Sequence, residues 1–207
     1  MRNIILASTS PRRRQLLEQI GLPFTTVDGK YQEVVPKNVP PKTVAAQLSR
    51  GKAAAVAGKH PNAIIIAADT IIVLNGAILG KPHTAPRARA MLKKLSGKQH
   101  SVISGLTVVD TVSHTTVTRA VETKVYMKQL TPTDIQYYVG SKEPLDKAGA
   151  YAIQGLGALF VEKISGDYYN VMGMPLVSLA EILKQFNVVI RPKVVALRKQ
   201  FNQLLTE

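Results

Sequence analysis

With 207 residues, 45% of them hydrophobic, the chain is long enough and apolar enough to bury a real core in one domain, which marks it as globular rather than disordered. It has no cysteine, which excludes disulfides and thiolate metal sites; no apolar run reaches membrane-spanning length or opens the chain as a signal peptide, so the cytoplasm is the expected compartment. A formal charge of +14 points to phosphate-bearing partners, nucleotides or nucleic acid, without choosing between them.

Residues 4–7, Ile4-Ile5-Leu6-Ala7, read as a buried strand that runs straight into Ser8-Thr9-Ser10-Pro11-Arg12-Arg13-Arg14. Ser10 suits a helix N-cap and Pro11 the first helical position; Leu16, Leu17 and Ile20 supply an apolar face, and Gly21 ends the helix. Free N–H groups and the positive dipole end at such a start favour an anion. Arg12 and Arg13 there are unfavourable in an isolated helix, unless they are a solvated face or a polyphosphate sits beside them. Neither a Walker loop nor a Gly-x-Gly-x-x-Gly turn is present.

An Ala-rich helix spans 43–57 and carries Lys52, by itself a lysine of a solvated face. Residues 63–68 form a fully buried strand, the apolar run resumes at 71–74, and Asn75-Gly76 turns the chain back through 77–79. Asp69 interrupts these two runs. A carboxylate there either ties down a turn by hydrogen bonds or acts as metal ligand or general base. Lys81 follows the hairpin in Gly80-Lys81-Pro82, near its mouth. A helix at 86–95, strands at 101–109 and 115–126, a helix from Thr131 to about 139, a Gly-containing stretch at 148–157, a strand at 158–164 and a helix at 175–186 complete the order. In the Gly-containing stretch small residues permit close backbone approach, and Gln154 offers both a donor and an acceptor to a base edge. Hairpins without strict βαβ alternation predict an α/β fold with a mixed central sheet flanked by helices. The four histidines lack metal-ligand spacing.

Taken together, Ile5 to Arg13, Ala68-Asp69-Thr70-Ile71, Leu79-Gly80-Lys81-Pro82, Met91 to Gly97, Glu143 to Gly157 and Gly166 to Pro175 resemble the Maf family of nucleoside triphosphate pyrophosphatases, over about residues 3–187. The resemblance implies an elongated, two-lobed Maf/ITPase-like architecture with a central cleft, in which a nucleoside triphosphate is cut between its α- and β-phosphates. It implies Asp69 as the proton acceptor for water and as a ligand of a divalent cation, Mg2+ or Mn2+. Ser8, Arg12, Arg13, Lys52 and Lys81 become the phosphate shell, and Ser10, Thr70, Lys147 and Gln154 complete the substrate-binding set. The 146–155 stretch is similar to the subgroup acting on dTTP and UTP, with modified pyrimidine nucleotides as further substrates; Arg12, Thr70 and Gln154 match positions tied to substrate choice. Where the family has adjacent acidic residues this chain reads Gly29-Lys30-Tyr31-Gln32-Glu33, leaving Glu33 as the second metal ligand. The family name suggests an indirect link to septum formation, and the resemblance suggests a homodimer.

Residues 1–192 are expected to form the Maf-like domain and 193–207 a basic helical tail. The rival reading is a basic nucleic-acid-binding or nucleotide-sensing regulator of cell division without hydrolysis; only 5% aromatic residues and no nucleic-acid-binding motif weigh against it. The hydrolase reading requires that the arginine-bearing first helix and Asp69 face each other across a single pocket.

Overall fold

The computed structural model describes residues 2–36 and 38–190; the tail expected at 193–207, and the domain boundary at 192, lie outside the described residues. In chain order the elements are β1 (Asn3–Leu6), α1 (Pro11–Gln19), β2 (Thr25–Thr26), α2 (Pro41–Ala57), β3 (Ala63–Leu74), β4 (Ala77–Leu79) and α3 (Ala85–Leu95). They continue as β5 (Gln99–Asp110), β6 (Thr115–Met127), α4 (Pro132–Gly140), β7 (Val161–Ser165), α5 (Tyr168–Met172) and α6 (Leu176–Gln185). The strands form one mixed sheet in the order β2-β1-β3-β5-β6-β7, with β4 on the edge of β3. β1 runs parallel to β2 and β3, and every other pairing is antiparallel, as the hairpins predict.

Three local expectations change. The apolar runs on either side of Asp69 are one strand, because β5 pairs with β3 without a break from Ile64 to Val73 and carries the carboxylate through. The strand expected at 158–164 begins only at Val161; Gly155–Phe160 is a 3-10 segment held in part by the Glu143 carboxylate, which accepts from the N–H groups of Leu156 and Gly157 at 3.1 and 3.2 Å. Short elements that were not expected are β2, α5 and the 3-10 segments Glu143–Asp146 and Ala148–Ala150; α5 is capped by Asp167, which accepts from Tyr169 and Asn170 N–H, and is closed by Gly173 at φ 113°.

Alternation along β3 sorts the core by face. Odd-numbered Ala63, Ile65, Ala67, Ile71 and Val73 pack beneath α2. Even-numbered Ile64, Ile66 and Ala68 pack with α1 and α6, while Ile72 and Leu74 pack with α3 and α4. α2 lies against the sheet because Gly105 of β5 has no side chain: a Cβ there would stand 2.0 Å from the Ala45 carbonyl oxygen.

One edge of β3 is interrupted. β1 pairs with it only as far as Ile66 and β4 only from Ile72, so 67–71 has no strand neighbour on that side. After Leu79 the chain turns away: Gly80 gives its carbonyl to the Gly149 N–H at 3.0 Å, and the His83 N–H donates to the Leu145 carbonyl at 3.0 Å. The gap holds the site.

Candidate active site

A pocket of about 980 Å3 opens at this gap. Ser8, Ser10, Arg12, Arg13, Glu33, Lys52, Asp69, Thr70, Lys81, Lys147 and Gln154 all line it. The loop after β1 delivers Ser8 and Ser10, with the Ser8 Oγ accepting the Ser10 N–H at 3.2 Å. Ser10 is the N-cap residue by position, as expected, yet its hydroxyl makes no capping bond.

Asp69 and the arginines line one pocket and meet across the gap, but they reach it from opposite faces of β3. Strand alternation turns Asp69 toward α2 and Thr70 toward α1. Asp69, 6% exposed, ion-pairs through Oδ1 with the Lys52 ammonium, which also meets Glu33 at 2.6 Å. Burial would raise the Glu33 carboxyl, but the Lys52 hydrogen bond and charge outweigh it, with help from Lys81 and Arg13, and hold it below the usual carboxylate range. Glu33 reaches this place because the Tyr31 ring lies against α2 at Gly51, where a Cβ would come within 2.2 Å of it.

On the opposite face Arg13 is gripped by neutral acceptors. Its Nε donates to the Gly173 carbonyl at 2.9 Å, Nη1 to the Ser8 hydroxyl at 3.3 Å and Nη2 to the Thr70 hydroxyl at 3.3 Å. Burial lowers the guanidinium from its ordinary value, and Asp69 across the gap opposes that. Arg12 is likewise lowered by burial, against Asp146, Tyr138 and Glu143. Lys147 pairs with Asp146, whereas Lys81 and Gln154 are exposed and without hydrogen-bond partners among the described residues.

Several supporting groups escaped the sequence reading. The Gly173 carbonyl carries no side-chain signal, although the 166–175 match marks its neighbourhood. Glu143 accepts from the Tyr138 hydroxyl at 2.8 Å and braces the loop bearing Gln154. Tyr151 lines the pocket and its hydroxyl lies 2.6 Å from the His100 Nε2; burial lowers His100, 2% exposed, to about 4.

Among the described residues no group of three or more His, Asp or Glu is placed to hold a metal ion. Two carboxylates, Asp69 and Glu33, do converge, on the same ammonium. Their hard oxygen donors fit Mg2+ or Mn2+, which bind through one or two carboxylates plus water and substrate phosphates. No helix among the described residues is long and apolar enough to cross a membrane.

Residues 3–186 match the family model described as Maf-like protein. The chain is 46% identical over 187 residues to the dTTP/UTP pyrophosphatase of Bacillus mycoides (strain KBAB4), covering 90% of this chain and 97% of that protein. It is 44% identical over 186 residues to the dTTP/UTP pyrophosphatase of Pelotomaculum thermopropionicum, with the same coverage of 90% and 97%.

Proposed function

The chain belongs to the Maf family, and from that membership we propose that it is a nucleoside triphosphate pyrophosphatase hydrolysing dTTP and UTP between the α- and β-phosphates, giving the monophosphate and pyrophosphate. The observation that carries this reading is one pocket holding Arg12, Arg13, Lys52 and Lys81 together with the Asp69 carboxylate. A triphosphate brings several negative charges and develops more on its leaving group, and fixed cations lower the cost of that charge.

Asp69 uses Oδ1 for Lys52, leaving Oδ2 to take a proton from the attacking water as the new P–O bond forms. The bond from phosphorus to the α,β-bridging oxygen breaks, and pyrophosphate departs with that electron pair. Arg13, Arg12, Lys52 and Lys81 hold the phosphate oxygens, and the Ser8 and Ser10 hydroxyls add polar contacts. Glu33 and Asp69 would hold a divalent cation, which when bound neutralises phosphate charge and acidifies water. Gln154 and Lys147, on the loop braced by Glu143, are assigned to the base and sugar end, and Thr70 and Arg12 to substrate selection. In this reading the pocket is the cleft between two lobes, supported by the separate cores that meet β3 on either side of Asp69 and Thr70. The relatives' names favour hydrolysis over the nucleic-acid-binding regulator; a homodimer is proposed on the resemblance, to be checked by sedimentation.

The test is pyrophosphate release from a panel of triphosphates with Mg2+ or Mn2+. dTTP and UTP are expected to be cut fastest, with a loss of roughly 10²–10⁴-fold in Asp69→Asn. Orthophosphate as the first product, or an Asp69→Asn protein as fast as the parent, contradicts the reading.

A further inference from the structure

We propose that Ser104 and Asn170, which do not line the pocket, are positioning residues that set the Arg13 guanidinium; the inference rests on the reading of Arg13 as a phosphate ligand. Both side chains are fully buried. The Ser104 Oγ donates to the Asn170 carbonyl at 3.1 Å, so at its 2.8 Å contact with Thr70 it accepts. That fixes the direction of the chain. Thr70 gives its proton to Ser104 and turns a lone pair to Arg13 Nη2 at 3.3 Å. The alternative acceptor for the Thr70 proton is the Gly173 carbonyl at 3.4 Å, the same oxygen that receives Arg13 Nε at 2.9 Å. Ser104 therefore keeps Thr70 off the carbonyl that Arg13 needs.

Asn170 secures the other end. Its Nδ2 donates to the Val102 carbonyl of β5 and to the Thr123 hydroxyl of β6, both at 3.0 Å. Thr123 in turn donates to the Asp167 carbonyl and accepts the Asp167 N–H, both at 3.0 Å. Asp167 caps α5, and α5 presents the Gly173 carbonyl through the left-handed turn at its end. A five-residue helix has little stability of its own; it is these bonds to two strands that hold the carbonyl still. Three of the five guanidinium N–H groups of Arg13 are thereby used, leaving one on each terminal nitrogen for a phosphate oxygen.

The experiment is a double-mutant cycle of Arg13→Ala and Ser104→Ala in the full chain. It is read by kcat and KM for dTTP, by the Kd of an α,β-imido analogue of dTTP, and by Tm. Ser104→Cys replaces Ser104→Ala if the latter does not fold. Arg13→Ala is expected to lower kcat/KM roughly 100-fold. Ser104→Ala is expected to lower it roughly tenfold, through a raised KM and Kd, and to add nothing in the Arg13→Ala background. A merely structural lesion would lower the active fraction with KM unchanged. That result, an unchanged Ser104→Ala protein, or losses that multiply in the double variant would each overturn the inference while leaving Arg13 as a ligand. An Arg13→Ala protein with parental kcat/KM and Kd would instead overturn the functional reading itself.

Discussion

The two faces of β3 at the open edge solve the problem of a buried charge in opposite ways. Toward α2, the Lys52 ammonium lies between Asp69 and Glu33, so the cation is more than neutralised and the cluster is left with one negative charge. Toward α1, Arg13 is held by a carbonyl and two hydroxyls, none of which offsets its charge. Neutral acceptors fix a guanidinium in place without neutralising it. In the proposed function the α2 face supplies the carboxylate that takes the proton, and the α1 face keeps a cation for the anionic guest.

The contrast is broken most severely by exchanging which face loses its cation. Lys52→Ala leaves a nearly buried Asp69 beside Glu33 with no ammonium between them, and loss of one partner of a buried pair costs about 3 kcal/mol or more. Arg13→Ala should lose only about 1 kcal/mol of folding stability, because neutral acceptors are left behind, while dTTP turnover falls far more. Urea denaturation and turnover of the two variants check this; an Arg13→Ala protein less stable than Lys52→Ala would show that the faces do not differ as described.

Acid sharpens the comparison. Burial lowers His100 to about 4 from the ordinary 6.5, so the folded protein refuses a proton that the unfolded chain accepts. Stability is intact above pH 6.5 and falls as the pH drops toward 4, by about 3 kcal/mol in all. The α2-side carboxylates act later: Glu122, held down to about 2 by hydrogen bonds from Lys124, Lys42 and Ser101, keeps its contribution until pH falls from 4.5 toward 2. Denaturant midpoints against pH should show the His100 loss first, and a His100→Gln variant should flatten it; an unaltered slope between pH 6.5 and 4 in that variant would exclude His100 as the source.

Gly105→Ala separates position from chemistry. Its methyl group meets the Ala45 carbonyl and pushes α2 away, at about 1–3 kcal/mol, carrying Lys52 from Asp69 while Arg13 keeps its partners. Slower turnover with analogue affinity nearly kept is the expected result. The smallest effect is expected from Gln154→Glu at an exposed loop position: a change of a few-fold in preference between dTTP and other triphosphates, of the size a single exposed polar contact supports, with Tm unmoved.

Much of this was legible in the sequence because the signals were local. The β-branched runs gave β3, Asn75-Gly76 gave the hairpin, and Ser10-Pro11 placed the start of α1. Thr25-Thr26 has no apolar period, and α5 exists because Asn170 and Asp167 bond to strands far along the chain, so neither could be read from its own residues. The eleven candidate site residues do line one pocket, but strand parity across Asp69-Thr70 separates the ionic set from the arginine set. Reading two interrupted runs where one strand continues hid that parity. The supporting layer was invisible for a simpler reason: backbone carbonyls such as that of Gly173 look the same at every position.

The gap along β3 has a bearing on how this fold changes over time. Were Gly80 and Lys81 to continue β4, they would pair with Ile71 and Thr70 and narrow the gap to residues 67–69. Proline at position 82 brings no amide hydrogen to such an extension, and the bond from Gly149 to Gly80 already claims the backbone for another route. The backbone path of that tripeptide thus sets the width of the mouth, and substitutions in it are where lineages could narrow or widen the opening without disturbing the rest of the molecule.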